Sequence, residues 1–222
     1  MKPRLFIFDL DGVITDTAKY HYLAWKRLAD ELGFQFTEID NERLKGVSRI
    51  RSFEIMLEIN DATNRYTGQE KEELANRKNE YYKEYVETIT KDDLLPGVYE
   101  FIMKAKADGV SCAVASISKN APRILDRLGI AQDFDYIADP ATVVHPKPHP
   151  EIFSVCAEAL GFVPEECIGF EDAQAGIEAI HAAGMMSVGI GVAVTSIPAD
   201  LPLSGTVELD YNKILKFYKE FK

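Results

Sequence analysis

From Val98 to Ile190, helical apolar periodicity and short apolar runs alternate, and this alternation restricts the fold more than any other feature of the chain. Helices are predicted near Val98–Ala107, Ala121–Leu128, Pro150–Leu160 and Ala173–Ala183. Strands are predicted near Val110–Ala115, Phe134–Ala138, Cys167–Phe170 and Ser187–Ile190, with Gly109, Gly129 and Gly184 as punctuation. A βα series of this kind builds a parallel sheet with helices on both faces. Ligands of such sheets bind at the carboxyl ends of the strands.

One further strand stands at the front of the chain. Leu5 to Phe8 is a bulky apolar run closed by Asp9-Leu10-Asp11-Gly12, which reads as a buried strand with two carboxylates at its tip. Where a strand gives way to a loop, residues i and i+2 can converge on one point. A carboxylate pair there suits Mg²⁺, which takes oxygen ligands and substrate phosphate oxygens. It also suits covalent phosphoryl chemistry, with one carboxylate attacking and the other moving a proton. The same D-x-D-G pattern equally describes two solvated turn residues.

Between this strand and Pro96-Gly97 no strand pattern occurs. Tyr20, Ala24, Leu28 and Leu32 recur every four residues up to Gly33, and Thr17, His21 and Trp25 form a neighbouring row beside the Asp pair. Trp25 alone reads as a core aromatic and His21 as a partly buried helix residue. Ser52–Ile59 and Gln69–Ile89 are helix-like and free of proline. Lys45-Gly46-Val47-Ser48-Arg49 is a predicted loop with two cations, a glycine and a hydroxyl, the chemistry of a phosphate or sugar clamp. Arg77 and Lys78 read as solvated-face residues unless that face covers the site.

The predicted strand tips collect further chemistry. Ser116 ends one strand and Glu171-Asp172 ends another, while His145-Pro146-Lys147-Pro148-His149-Pro150 holds Lys147 in a proline-restricted loop. His145 and His149 read as loop residues, because the sequence spaces no third ligand for a zinc site with them.

With 36 acidic against 25 basic residues the net charge is −11. Nucleic acid and anionic membrane are therefore poor partners, and an anionic substrate must rely on a few local cations. The amino-terminal residues lack the pattern of a signal peptide, and no apolar run approaches the ~20 residues of a membrane span. A soluble, cytoplasmic protein is expected. Cys112, Cys156 and Cys167 lie far apart in apolar segments and read as core thiols of a reducing compartment.

Taken together, Asp9-Leu10-Asp11-Gly12, Ser116, Lys147 and Glu171-Asp172 resemble, in order, the four motifs of the haloacid dehalogenase superfamily of phosphotransferases. The resemblance implies a Rossmann-like, doubly wound parallel α/β core, residues 1–15 and 93–222, with an inserted all-helical cap over 16–92. Within the helical-cap branch, the extended first motif through Thr17, the His21–Trp25 row, the Lys45–Arg49 loop, Arg77-Lys78-Asn79, Ser118-Lys119-Asn120 and Glu171–Gly176 are similar to the β-phosphoglucomutase family. Ile117 and Pro146 depart from that pattern, and the segment after Gly191 shows little resemblance.

The resemblance implies roles. Asp9 becomes an aspartyl phosphate and Asp11 is the general acid and base. Mg²⁺ is held by the Asp9 and Asp172 carboxylates and the Asp11 carbonyl, with Glu171 in direct or water-mediated contact. Ser116 and Lys147 hold the transferring phosphoryl group. Arg49 with Ser118, Lys119 and Asn120 takes the distal phosphate, Gly46 and Val47 take the sugar, Lys78 adds a contact and His21 positions Asp11. Thr17, Trp25, Lys45 and Ser48 complete the expected substrate contacts. The implied reaction interconverts β-D-glucose 1-phosphate and glucose 6-phosphate through a 1,6-bisphosphate, on a monomer acting on small sugar phosphates. Its rival is a sugar-phosphate phosphatase on the same core, and a non-catalytic binding protein is a distant third.

Overall fold

The computed structural model describes residues 2–44, 47–191 and 197–221. The chain divides into two compact units, residues 1–16 with 89–222, and residues 17–88.

The larger unit is built on a parallel sheet of order β3-β2-β1-β4-β5-β6. Its strands are β1 (Leu5–Phe8), β2 (Ser111–Val114), β3 (Tyr136–Ile137), β4 (Cys167–Glu171), β5 (Met186–Ile190) and β6 (Leu201–Leu203). β1 is central and buried along its whole length. Successive side chains of a strand point to opposite faces, and β1 uses both. Phe6 and Phe8 enter an aromatic cluster in which Phe6 stacks on Phe101 at 5.4 Å and Phe8 on Phe170 at 4.6 Å. Tyr211 adds an edge contact to Phe6 at 6.1 Å. Leu5 and Ile7 instead join Ala113, Ile152, Phe153, Cys156 and Ile180.

Phe101 and Tyr211 belong to helices Val98–Ala107 and Tyr211–Phe221, whereas Phe153 and Ile180 belong to Glu151–Leu160 and Gln174–Ala182. Helices therefore cover both faces, and the sheet is doubly wound. The register aligns Leu5 with Ser111 and Cys167, and Phe8 with Val114 and Phe170. Asp9, Ser116 and Glu171-Asp172 consequently leave the sheet at one end. All three cysteines are free and buried, and burial pushes the Cys112 and Cys156 thiols up to about 12, so they stay protonated and inert.

The smaller unit is helical: α1 (Ala18–Leu32), α2 (Glu38–Glu42), α3 (Arg49–Ile59) and α4 (Gly68–Val86). Thr37 with Asp40 and Thr67 with Glu70 form capping boxes that satisfy the first free N–H groups of α2 and α4. Trp25, Leu28, Phe36, Phe53, Met56 and Leu74 share its core. The core-unit helices take the labels α5 (Val98–Ala107), α6 (Ala121–Leu128), α7 (Glu151–Leu160), α8 (Gln174–Ala182) and α9 (Tyr211–Phe221).

Two elements escape the sequence reading. β6 carries Pro202 between two leucines, and among the described residues it pairs with β5 alone, at the edge of the sheet, where a missing N–H is tolerated. α9 follows the segment after Gly191, where resemblance gives out. In the helical unit, α3 starts at Arg49 rather than Ser52, because Ser48 caps it by accepting the Arg51 N–H. No helix among the described residues is long and apolar enough to cross a membrane.

Candidate active site

Asp9 is the first residue beyond β1, held by its backbone N–H to the Phe170 carbonyl at 2.9 Å. The chain then turns tightly, with the Gly12 N–H donating to the Thr15 carbonyl at 2.8 Å. Half-buried Asp11 lies on this turn. Gly12 adopts φ +78°, and a Cβ there would lie 2.1 Å from Asp172 Oδ2. Backbone conformation and space for Asp172 thus both require glycine.

Glu171 is the last residue of β4 and is buried. Its Oε1 accepts the Ala173 N–H at 3.2 Å and its Oε2 accepts from Lys147 Nζ at 2.7 Å. The same ammonium donates to Asp9 Oδ1 at 2.5 Å and lies 5.0 Å from the centre of the Phe153 ring. Burial works against its charge, but Asp9 and Glu171 outweigh it and hold Lys147 above its ordinary value. Burial pushes the Glu171 carboxyl upward, the Asp9 charge adds to this, and Lys147 opposes both. Gly176 of α8 packs here too, since a Cβ would stand 2.0 Å from Glu171 Cδ.

Oxygens of Asp9, Glu171 and Asp172 lie within 4.8 Å of one another. Three carboxylates facing one ammonium leave an excess of negative charge on a set of hard oxygen donors. That set fits Mg²⁺, which prefers carboxylate oxygens and retains positions for phosphate and water.

Beyond β2, Ser116 is buried and its hydroxyl accepts the Ser118 N–H at 3.2 Å. Ser118 in turn accepts the Asn120 N–H at 3.2 Å, and Asn120 precedes α6 as its cap residue. Lys119 is exposed between them.

The helical unit holds its own polar cluster. The half-buried Arg49 donates to Asn76 Oδ1 at 3.1 Å and to Asn79 Oδ1 at 2.9 Å, tying α3 to α4. Lys78, which the sequence suggests as a solvated-face residue, is only 3% exposed. Its ammonium lies 2.8 Å from His21 Nδ1, 4.8 Å from the Trp25 ring centre and 5.0 Å from that of Tyr82. An ammonium only donates, so Nδ1 accepts and the imidazole proton sits on Nε2. Burial, then Arg49, pushes Lys78 down to about 7, and burial, Lys78 and Arg49 hold His21 well below its usual value.

Of the other expected contacts, Trp25 is buried against Phe53 and Thr17 is fully buried. Val47 and Ser48 are exposed. Lys45 and Gly46 lie outside the described residues. Sequence reasoning missed the supporting roles of Gly12, Gly176, Phe153, Asn76 and Tyr82. Gly176 matters through its packing on the Glu171 carboxyl at the end of β4, and its place in the Glu171-Asp172-Ala173-Gln174-Ala175-Gly176 run is the signal that could have exposed it.

The model of the haloacid dehalogenase-like hydrolases matches residues 3–184. The β-phosphoglucomutase of Bacillus subtilis is 44% identical over 216 residues, 97% of this chain and 96% of that protein. A phosphorylated carbohydrates phosphatase of Thermotoga maritima is 32% identical over 81% of each chain. The crystal structure of β-phosphoglucomutase from Clostridium difficile superimposes with a TM-score of 0.90 at 42% identity, over 99% of this chain and 98% of that one. Sheet, strand-tip carboxylates and sequence agree, and the chain belongs to the haloacid dehalogenase-like hydrolase family as an enzyme homologous to the β-phosphoglucomutases.

Proposed function

We propose that this chain is a Mg²⁺-dependent β-phosphoglucomutase. The observation that supports phosphoryl transfer best is Lys147 bridging Asp9 and Glu171 at the strand tips. Asp9 attacks the phosphorus of a sugar phosphate, the bond from phosphorus to the sugar oxygen breaks, and Asp11 gives that oxygen a proton. In the second half, Asp11 takes the proton of the accepting hydroxyl, which attacks the aspartyl phosphate and frees Asp9. Lys147 fixes the Asp9 oxygen, and the Ser116 hydroxyl and Lys147 hold phosphoryl oxygens. The Asp9 and Asp172 carboxylates and the Asp11 carbonyl would hold Mg²⁺, with Glu171 beside them. When bound, the ion screens the phosphate's charge from the attacking carboxylate.

The 44% identity with the Bacillus mutase over 97% of this chain supports β-glucose 1-phosphate as substrate. Arg49, poised between two asparagine carbonyls, supports recognition of a phosphate that is not being transferred. Ser118, Lys119 and Asn120 share that role, and the exposed Val47 contacts the sugar. The helical unit acts as a cap. The buried free thiols support a reducing, cytoplasmic setting, and the enzyme works as a monomer on small sugar phosphates. A phosphatase is the second reading, favoured by the Thermotoga relative.

Incubation with Mg²⁺, β-glucose 1-phosphate and a trace of glucose 1,6-bisphosphate should yield glucose 6-phosphate and an acid-stable, base-labile phosphoenzyme. Asp9→Asn should abolish both. Phosphate on another residue, or turnover retained by the variant, would overturn the assignment.

A further inference from the structure

The loop that carries Lys147 presents a second donor set on its exposed side. Its sequence places His145 and His149 two residues to either side of the lysine, with Glu151 two residues further. Linear spacing gives these histidines no third partner. The fold supplies one by turning Glu151, the first residue of α7, back over the loop.

Glu151 Oε1 accepts the Val144 N–H at 2.9 Å, and Oε2 accepts the His145 N–H at 2.8 Å. That carboxylate is thus fixed by backbone donors before any ligand arrives. Oε2 lies 2.9 Å from His145 Nδ1 and 3.7 Å from His149 Nδ1. The two imidazole rings are 4.4 Å apart and tilted by 33°. Ligand atoms of all three residues lie within 4.8 Å of one another.

We propose that His145, His149 and Glu151 form a binding site for a divalent transition-metal ion of the zinc class, separate from the Asp9, Glu171 and Asp172 cluster. Two donors at 2.0–2.2 Å from a tetrahedral ion stand roughly 3.3–3.6 Å apart. The observed 2.9 and 3.7 Å bracket that separation, so small rotations of two exposed rings suffice. The Glu151 N–H donates to His149 Nδ1 at 3.3 Å, so this nitrogen carries a lone pair, which an ion takes in place of that long bond. Side-chain exposures of 60% for His145 and 49% for His149 leave the ion open to solvent, and water completes its shell.

Donor chemistry separates the two sites. Two imidazoles and one carboxylate favour Zn²⁺, Cu²⁺ or Ni²⁺, whereas the strand-tip carboxylates favour Mg²⁺. An ion at the loop closes residues 145–151 into a chelate around Lys147, so its occupancy restrains the segment that delivers the ammonium to Asp9 and Glu171. The site does not depend on which phosphate ester the enzyme uses.

The test is Zn²⁺ titration calorimetry on the tag-free, chelator-stripped full chain with Mg²⁺ in excess, repeated for His145→Ala, His149→Ala and Asp172→Asn. The proposal requires one saturable Zn²⁺ per chain, at least about a tenfold loss of affinity in each histidine variant (roughly 1.4 kcal/mol), and retention in Asp172→Asn. Co²⁺ bound to the wild type should show the strong visible absorption of a four-coordinate ion, weakened in His149→Ala. Absence of saturable binding, unchanged affinity in His149→Ala, or loss of the site in Asp172→Asn would overturn it.

Discussion

Glu171 Oε2 accepts from Lys147 Nζ at 2.7 Å across 24 residues of chain, which fixes a proline-rich loop to the tip of a central strand. The contact joins a buried carboxylate to a part-buried ammonium, and neither is comfortable without the other.

Lys147→Met should therefore destabilise the fold by about 3–5 kcal/mol, the cost of leaving a buried carboxylate uncompensated, and lower kcat by at least ~10²-fold. Adding Glu171→Gln should recover much of the stability and none of the activity. Urea unfolding of the single and double variants reads the coupling. Additive effects would mean that the pair contributes little.

Gly176 stands in α8, where alanine normally gains about 1 kcal/mol over glycine. Its Cβ would meet the Glu171 carboxyl at 2.0 Å, so Gly176→Ala should lower Tm and raise the Mg²⁺ concentration needed for half-maximal activity. Gly68, at the start of α4 with nothing within 4 Å of a built Cβ, is the contrast, and Gly68→Ala should be neutral or stabilising by up to about 1 kcal/mol. Thermal melts should show a lower Tm for Gly176→Ala and an unchanged or higher one for Gly68→Ala.

Much of this site was legible because the βα alternation dictates a parallel sheet, and a parallel sheet sends Asp9, Ser116 and Glu171 out at one end. What escaped depends on tertiary contact. Glu151 joins His145 only because the chain reverses before α7, Lys78 is buried by Trp25 and Tyr82 from other turns, and Gly176 matters only once Glu171 packs on it. Pro202 hid β6, since an edge strand is the one place where proline suits a strand.

Lys78 links stability to pH. Its folded value of about 7 lies below the ordinary ~10.4 of a lysine, so between these values the unfolded chain binds more protons and stability rises with pH. Below about 7 the Lys78 contribution levels off, while the lowered His21 makes stability fall further as pH drops through ~6.5. Urea midpoints from pH 7 to 10 should climb in the wild type, with a slope of at most about 1.4 kcal/mol per pH unit from this group. Lys78→Met should remove that rise, and parallel curves would show that Lys78 is charged throughout.

Arg49→Ala should slow mutase turnover by roughly 10- to 100-fold, the worth of a lost charge-assisted phosphate contact. Hydrolysis of acetyl phosphate, which has a single phosphate, should change little. Equal losses on both substrates would place Arg49 in the fold rather than in recognition, through its bonds to Asn76 and Asn79.

The central claim is that phosphorylated Asp9 passes its phosphoryl group to a sugar hydroxyl and not to water. An oriented hydroxyl can outcompete ~55 M water, because well-placed intramolecular groups reach effective molarities of roughly 10⁵ M or more. The direct measurement follows glucose 6-phosphate and free phosphate together from saturating β-glucose 1-phosphate, with Mg²⁺ and a trace of the 1,6-bisphosphate. Isomerisation should exceed phosphate release by a wide margin, with the α anomer reacting poorly. Phosphate release equal to or faster than isomerisation would contradict the mutase and establish a phosphatase.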